Sequence, residues 1–230
     1  MIFKYSKERP MYINLLFFLV AFLGTFIMPS EFALTINKVV KNTQIATILG
    51  NALFIYLLYL MYKKDIDKEF KIFKDNFKSN FKTGFKYYIA GLISMIVFNL
   101  FIAIIIKDVS ANENIVREML FKFPIYTMFS IAIIAPLSEE LTFRKSMDPL
   151  LKNKWIYAFG CGLLFGACHL IAGEFKLINL LYLLPYGSLG FVFALMDRET
   201  KTTFTSIMMH MIHNTMTGAL LLITFKLGAL

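Results

Sequence analysis

The chain has 230 residues, of which 58% are hydrophobic and only 17% charged, and a formal net charge of +9. Soluble domains carry about 25% charged residues, so this composition excludes an ordinary soluble globule. The positive charge lies in blocks between apolar runs, which argues against nucleic acid as a partner and points to an anionic membrane surface.

Apolar runs of about 18 or more residues can cross a bilayer as helices that satisfy their own backbone. About seven such runs are present, predicting an all-α, polytopic membrane helical bundle. The first, roughly residues 11–28, follows the basic KYSKERP. Its length and the lack of a small-x-small cleavage site mark it as a retained helix rather than a signal peptide. The second covers roughly 44–62. Residues 63–86 then place Phe70, Phe73, Phe77, Phe81 and Phe85 near helical spacing among lysines, predicting an amphipathic helix on the membrane surface. The third run, 87–106, leads into a polar connection, 107–122. The fourth is 123–143, the fifth 155–171, the sixth 177–196, with a kink expected at Pro185 and Gly187, and the seventh 203–224. No internal repeat is evident, which weighs against a transporter built from inverted halves.

Basic residues orient this bundle. The N-terminus, residues 63–86, 144–154 and 197–201 share one side and hold 17 of the 24 Lys and Arg, which makes that side cytoplasmic. Cys161 and Cys168 fall within one apolar run and read as packing residues rather than a disulfide or metal site.

The ionisable residues inside the runs carry the chemistry, because a charge at the centre of a membrane helix costs about 2.5 kcal/mol or more. They are Glu139, Glu140 and Arg144 in "SEELTFR", His169 in "FGACH", and His210 and His213 in "HMIHN", beside Asn214. All three histidines of the chain lie in membrane runs. Glu140 and Arg144 are four residues apart and can pair, whereas Glu139 is rotated by about 100° and is free to face another helix. Glu139 and His169 can hold and deprotonate a water, with His210 and Asn214 stabilising the oxyanion of a peptide tetrahedral intermediate. The competing reading is zinc on Glu139, His169 and His210, with His213 as a further donor. The metal-free site is preferred, there being no HExxH. Counted along the helices, Glu139 and His210 sit about 12 Å from the basic ends of their runs and His169 about 22 Å, so their convergence needs tilting or displacement of the fifth helix.

EExxxR, FxxxH and HxxxN, in this order on three membrane runs, resemble the CPBP family, the Abi or CAAX-protease-like intramembrane proteases. The resemblance covers about residues 123–225, which divides the chain into N-terminal membrane helices and the basic segment, 1–122, and a CPBP-like catalytic core, 123–230. It implies an intramembrane endopeptidase without a cofactor, acting on a peptide or membrane-protein substrate. Glu139 would be the base, assisted by His169, with His210 and Asn214 at the oxyanion and Glu140 and Arg144 in support. His213 has no place in the pattern. Bacterial relatives of this kind imply bacteriocin immunity or peptide processing, and the Lys-, Ile- and Asn-rich composition suits a low-GC bacterium. A non-catalytic immunity protein or sensor-kinase modulator is the alternative reading.

Overall fold

The computed structural model describes residues 4–106, 108–172 and 176–228, all of whose regular structure is helical. Lys107, where the expected polar connection starts, lies outside the described residues, as do the outermost positions of the two expected segments. Three long helices come first: α1 (Met11–Val40), α2 (Thr43–Asp75) and α3 (Phe77–Ile106). The short α4 (Ala111–Lys122) follows. Residues 124–145 then form one helical run of changing pitch. It comprises α5 (Pro124–Phe129), a π turn (Ser130–Ile134), α6 (Ala135–Glu140) and a second π turn (Leu141–Lys145). The chain closes with α7 (Lys154–Cys168), a 3-10 turn (Leu177–Tyr182), α8 (Leu183–Thr200) and α9 (Thr203–Lys226).

Five helices among the described residues, not seven, are long and apolar enough to cross a membrane: α1, α2, α3, the 3-10 turn joined to α8, and α9. The expected fourth run fails because it leaves α pitch twice. The expected fifth fails on length, because the 15 residues of α7 reach about 22 Å against a hydrocarbon core of about 30 Å. The expected kink at Pro185 and Gly187 falls just past the change from 3-10 to α pitch at Leu183. Pro185 falls in the first turn of α8, where a missing N–H costs nothing.

The expected surface helix over 63–86 is divided. α2 loses helical dihedrals at Tyr62 (φ −117°, ψ 16°), continues to Asp75, and is separated from α3 at Asn76. Arg9 supports the break, donating to Met61 O at 2.8 Å with its guanidinium over the Tyr62 ring. The phenylalanine ladder survives the division. Phe70 and Phe73 pack on Phe204 at the start of α9, and Phe81 stacks on Phe85 along α3.

Local capping explains the helix starts. Asn42, Ser110, Asn153 and Thr202 each accept a backbone N–H from the first turn of α2, α4, α7 and α9. Lys41 and Lys201 take left-handed backbone, with φ of 52° and 57°, where the chain reverses. The polarity is that of a membrane protein: Leu23, Ile93, Leu100, Ile104 and Leu220 face outward, whereas Glu140, Arg144 and Lys145 are buried.

One end of the bundle is tied by charge. Lys145 pairs with Glu69, which also accepts the Thr203 N–H at 3.1 Å. Asp197 accepts the Tyr157 and Thr203 hydroxyls at 2.5 and 3.0 Å, and Arg198 pairs with Asp148 at 2.9 Å. Above this network α7 and α8 approach closely through small residues, as membrane helices do without a hydrophobic force between them. A Cβ on Gly162 would lie 2.6 Å from Gly187 O. Gly162→Ala is therefore expected to lower stability by about 1–3 kcal/mol, read as reduced unfolding resistance in detergent. An unchanged transition would mean that the α7–α8 crossing tolerates separation.

Candidate active site

The site is built where the helical run 124–145 departs from α pitch. The Ala135 N–H reaches back five residues to Ser130 O. In the same register Ile131 O would be met by the N–H of residue 136, but Pro136 has none. The carbonyl is instead satisfied from outside, by Asn214 Nδ2 at 2.8 Å from α9. A proline, a π turn and an asparagine 83 residues away thus act as one unit, joining α9 to the helix that carries the two glutamates. π turns of this kind recur at functional sites.

Glu140 and Arg144 are both fully buried, with Arg144 Nη1 3.2 Å from Glu140 Oε1. The same carboxylate oxygen accepts from His210 Nδ1 at 2.8 Å. The Arg144 guanidinium lies over Phe165, 4.7 Å from its centroid, and over Phe193 at 5.7 Å. It also donates to Gly190 O at 3.1 Å. A buried ion pair survives only with such compensation, because desolvation costs several kcal/mol per ion.

Glu139 takes the opposite course. Its side chain is 25% exposed, with Oε2 3.7 Å from His210 Nε2. His210 therefore stands between the two glutamates, Nδ1 held by Glu140 and Nε2 turned to Glu139. His169, at the C-terminal end of α7, donates through Nδ1 to Phe165 O at 2.8 Å. A carbonyl only accepts, so Nδ1 carries the hydrogen and the neutral ring presents Nε2 as an acceptor. Its ring lies against Phe165 and Tyr186, centroids 4.4 and 4.5 Å away.

Phe165 resolves the expected mismatch in depth. Helical side chains lean towards the N-terminus, so His169 falls back onto the ring one turn below it. That ring also meets His210, at 5.8 Å. The start of α7 is anchored beside the end of α8, Lys154 pairing with Glu199 at 3.1 Å, and the Tyr157 hydroxyl lies 3.2 Å from Arg144 O. Glu139, His169, His210 and the Glu140–Arg144 pair are thereby gathered in one region, though no hydrogen bond joins Glu139 to His169 among the described residues. Asn214 reaches the run's π turn, one N–H already committed.

Other expected residues fall elsewhere. His213 is buried against Tyr88, its Nδ1 3.5 Å from the hydroxyl. Cys161 and Cys168 are both free thiols. Among the described residues no three His, Cys, Asp or Glu side chains converge closely enough to hold a metal ion. The Nδ1 atoms of His169 and His210 are each engaged within the protein. Sequence reasoning missed three contributors: the Glu140–His210 contact, Phe193, and Tyr186, whose hydroxyl lies 2.8 Å from Ser110 Oγ. Their types carry no signal, since an aromatic in an apolar run is indistinguishable from lipid-facing sequence. Only Pro136 within an otherwise helical run could have marked the π turn beforehand.

Residues 120–216 match the family of Rce1-like type II CAAX prenyl endopeptidases. The chain is also 29% identical over 130 residues to the Bacillus subtilis protein named "Putative membrane peptidase YdiL". That match covers 55% of this chain and 47% of YdiL, so it spans about half the relative's length. No solved structure matches.

The link between Asn214 and Pro136 is testable. Asn214→Ala is expected to cost about 1 kcal/mol or more, because it strands a backbone carbonyl. In a Pro136→Ala background residue 136 regains its N–H, and the same substitution should cost clearly less. Strictly additive effects on unfolding in detergent would separate Asn214 from that carbonyl.

Proposed function

Its core being Rce1-like and CAAX-protease-like, with the fold of a multi-pass membrane protein, we propose that this chain is an intramembrane endopeptidase acting through glutamate-activated water. The observation that carries the reading is the unequal treatment of adjacent glutamates. Glu140 is sealed against Arg144 and His210, while Glu139 is partly open beside His210 Nε2. A sealed carboxylate positions; an open one can take a proton.

In this mechanism a water donates one hydrogen bond to Glu139 and one to His169 Nε2. Glu139 accepts a proton as the water oxygen bonds to the carbonyl carbon of a peptide. The carbonyl oxygen becomes an oxyanion, met by the second N–H of Asn214 Nδ2 and by Nε2–H of His210 in its doubly protonated form, whose Nδ1–H stays on Glu140. Glu139 then returns the proton to the amide nitrogen, the C–N bond breaks, and an acid and an amine leave. Glu140 keeps the proton on His210 Nδ1 and fixes the ring, the part that a buried carboxylate plays for a catalytic histidine. The substrate is a peptide or a membrane-protein segment, in a bacterial cell membrane, with roles in peptide processing or bacteriocin immunity. The lysine-rich end, with residues 63–86, Lys145 and Lys201, is cytoplasmic, and so is the N-terminus. No cofactor enters these steps.

The test is cleavage of a panel of quenched fluorescent peptides by the purified chain in lipid. Glu139→Gln and His169→Ala are expected to reduce kcat/KM by about 100-fold or more. Glu139→Gln should leave unfolding resistance nearly unchanged, whereas Glu140→Gln should lose both activity and stability. Cleavage should persist in chelator. Equal cleavage by wild type and Glu139→Gln would overturn the mechanism. Full cellular function of a normally expressed Glu139→Gln chain would favour a non-catalytic membrane partner instead.

A further inference from the structure

α7 and α9 begin at the same end of the bundle. Lys154, first in α7, pairs with Glu199 in the last turn of α8, and α9 starts at Thr203, three residues after α8 ends. From that common level α9, with 24 residues, rises about 36 Å, whereas α7, with 15, rises about 22 Å. α7 thus spans roughly 14 Å less than α9 and ends on the side remote from the lysine-rich segment. A cavity of about 460 Å³ lies beyond that end of α7, lined by Asp108, Ser110, Asn114, His169, Lys176 and Tyr182 among others. Its size falls within the about 300–1,000 Å³ usual for ligand sites.

The cavity adjoins the chemistry through one residue. His169 belongs both to its wall and to the aromatic stack that leads by Phe165 to His210. The wall is built rather than incidental. Tyr182 donates to Asp108 O at 2.7 Å, and the Ser110 and Tyr186 hydroxyls meet at 2.8 Å, tying the chain before α4 to the region before and within α8. Its chemistry is mixed. Ile106, Leu170 and Ile178 supply apolar surface. Ser110 and Lys176 have extended backbone, with ψ of 153° and 135°. Among the described wall residues Lys176 is the cation and Asp108 the anion.

We infer that this cavity is the entry site for the peptide, which approaches from the end away from the lysine-rich segment, the extracytoplasmic face, as an extended stretch bearing apolar side chains. The inference rests on the endopeptidase reading and on its orientation, and assigns the side and the class of the substrate. A cytoplasmic protein tail would not reach the site by this route; the outward juxtamembrane segment of a membrane protein, or a peptide outside the cell, would.

The test uses the full chain with Cys168→Ser, since the remaining Cys161 is buried. Ile178→Cys puts a thiol on the cavity wall, and Lys152→Cys puts one at the opposite, exposed end. A membrane-impermeant maleimide is expected to label Ile178→Cys in intact cells and Lys152→Cys only in inverted vesicles. A bulky adduct on Ile178→Cys should reduce peptide cleavage at least about tenfold, and one on Lys152→Cys should change it less than about twofold. Binding is read separately, with a photoreactive peptide of alternating Leu and Ser on the Glu139→Gln chain. Crosslinks should fall in residues 108–114 or 176–182 and be lost with the Ile178→Cys adduct. Crosslinking there without cleavage by the active chain would overturn the endopeptidase reading and keep the entry site. Cleavage with no such crosslink, an adduct without effect, or labelling of Ile178→Cys only from the cytoplasmic face would overturn the entry site.

Discussion

A carboxylate and a guanidinium with no solvent exposure, Glu140 and Arg144, set the terms for the rest of the molecule. Neither ion can stay in an apolar interior without an opposite charge and further compensating contacts. Three helices therefore converge on the pair. α9 brings His210, α7 brings Phe165 beneath the guanidinium, and α8 brings Phe193 and the Gly190 carbonyl. Removing either ion would leave the other buried and unpaired, at about 3–5 kcal/mol. The groups that compensate this charge are the ones that orient His210, so stability and the geometry of the site have a common origin.

The second constraint lies in the backbone. Pro136 removes one N–H from the helix that carries both glutamates, and the π turn before it shifts the hydrogen-bond register. The carbonyl left without a partner draws Asn214 across from α9. With His210 on Glu140 one turn away along the same helix, α9 is held to the glutamate helix at two heights. A helix held in this way cannot rotate about its axis without breaking one contact, which fixes the angle at which His210 faces Glu139.

The third is the shortness of α7. It closes against α8 through glycines at a distance that excludes a side chain, and ends well below the top of α9. His169 thus sits at the floor of a recess rather than in the middle of a membrane helix. Its Nδ1 is committed to its own helix, and its acceptor nitrogen remains for water. The charged network at the other end, from Glu69 to Lys145 and from Asp197 to Tyr157 and Thr203, ties the starts of α7 and α9 together, and the cavity lies beyond the far end of α7.

Much of this is legible in the residues alone. Composition and apolar runs establish an all-α membrane protein, and the spacing of Glu140 and Arg144 determines their pairing, because positions four apart on a helix are neighbours whatever surrounds them. The rotation of Glu139 away from that pair follows from the same geometry. The resemblance borne by EExxxR, FxxxH and HxxxN is legible too, and the Rce1-like match of residues 120–216 bears it out. Hydropathy could not count the spans, because it registers apolarity and not pitch. The run 124–145 is apolar enough yet interrupted, and α7 is apolar but short. Which nitrogen of His210 meets which glutamate, that Asn214 serves Ile131 O, and that Phe165 bridges two histidines depend on contacts between residues up to 83 positions apart. Only the tertiary structure decides these, since local periodicity carries no information about which helix lies opposite.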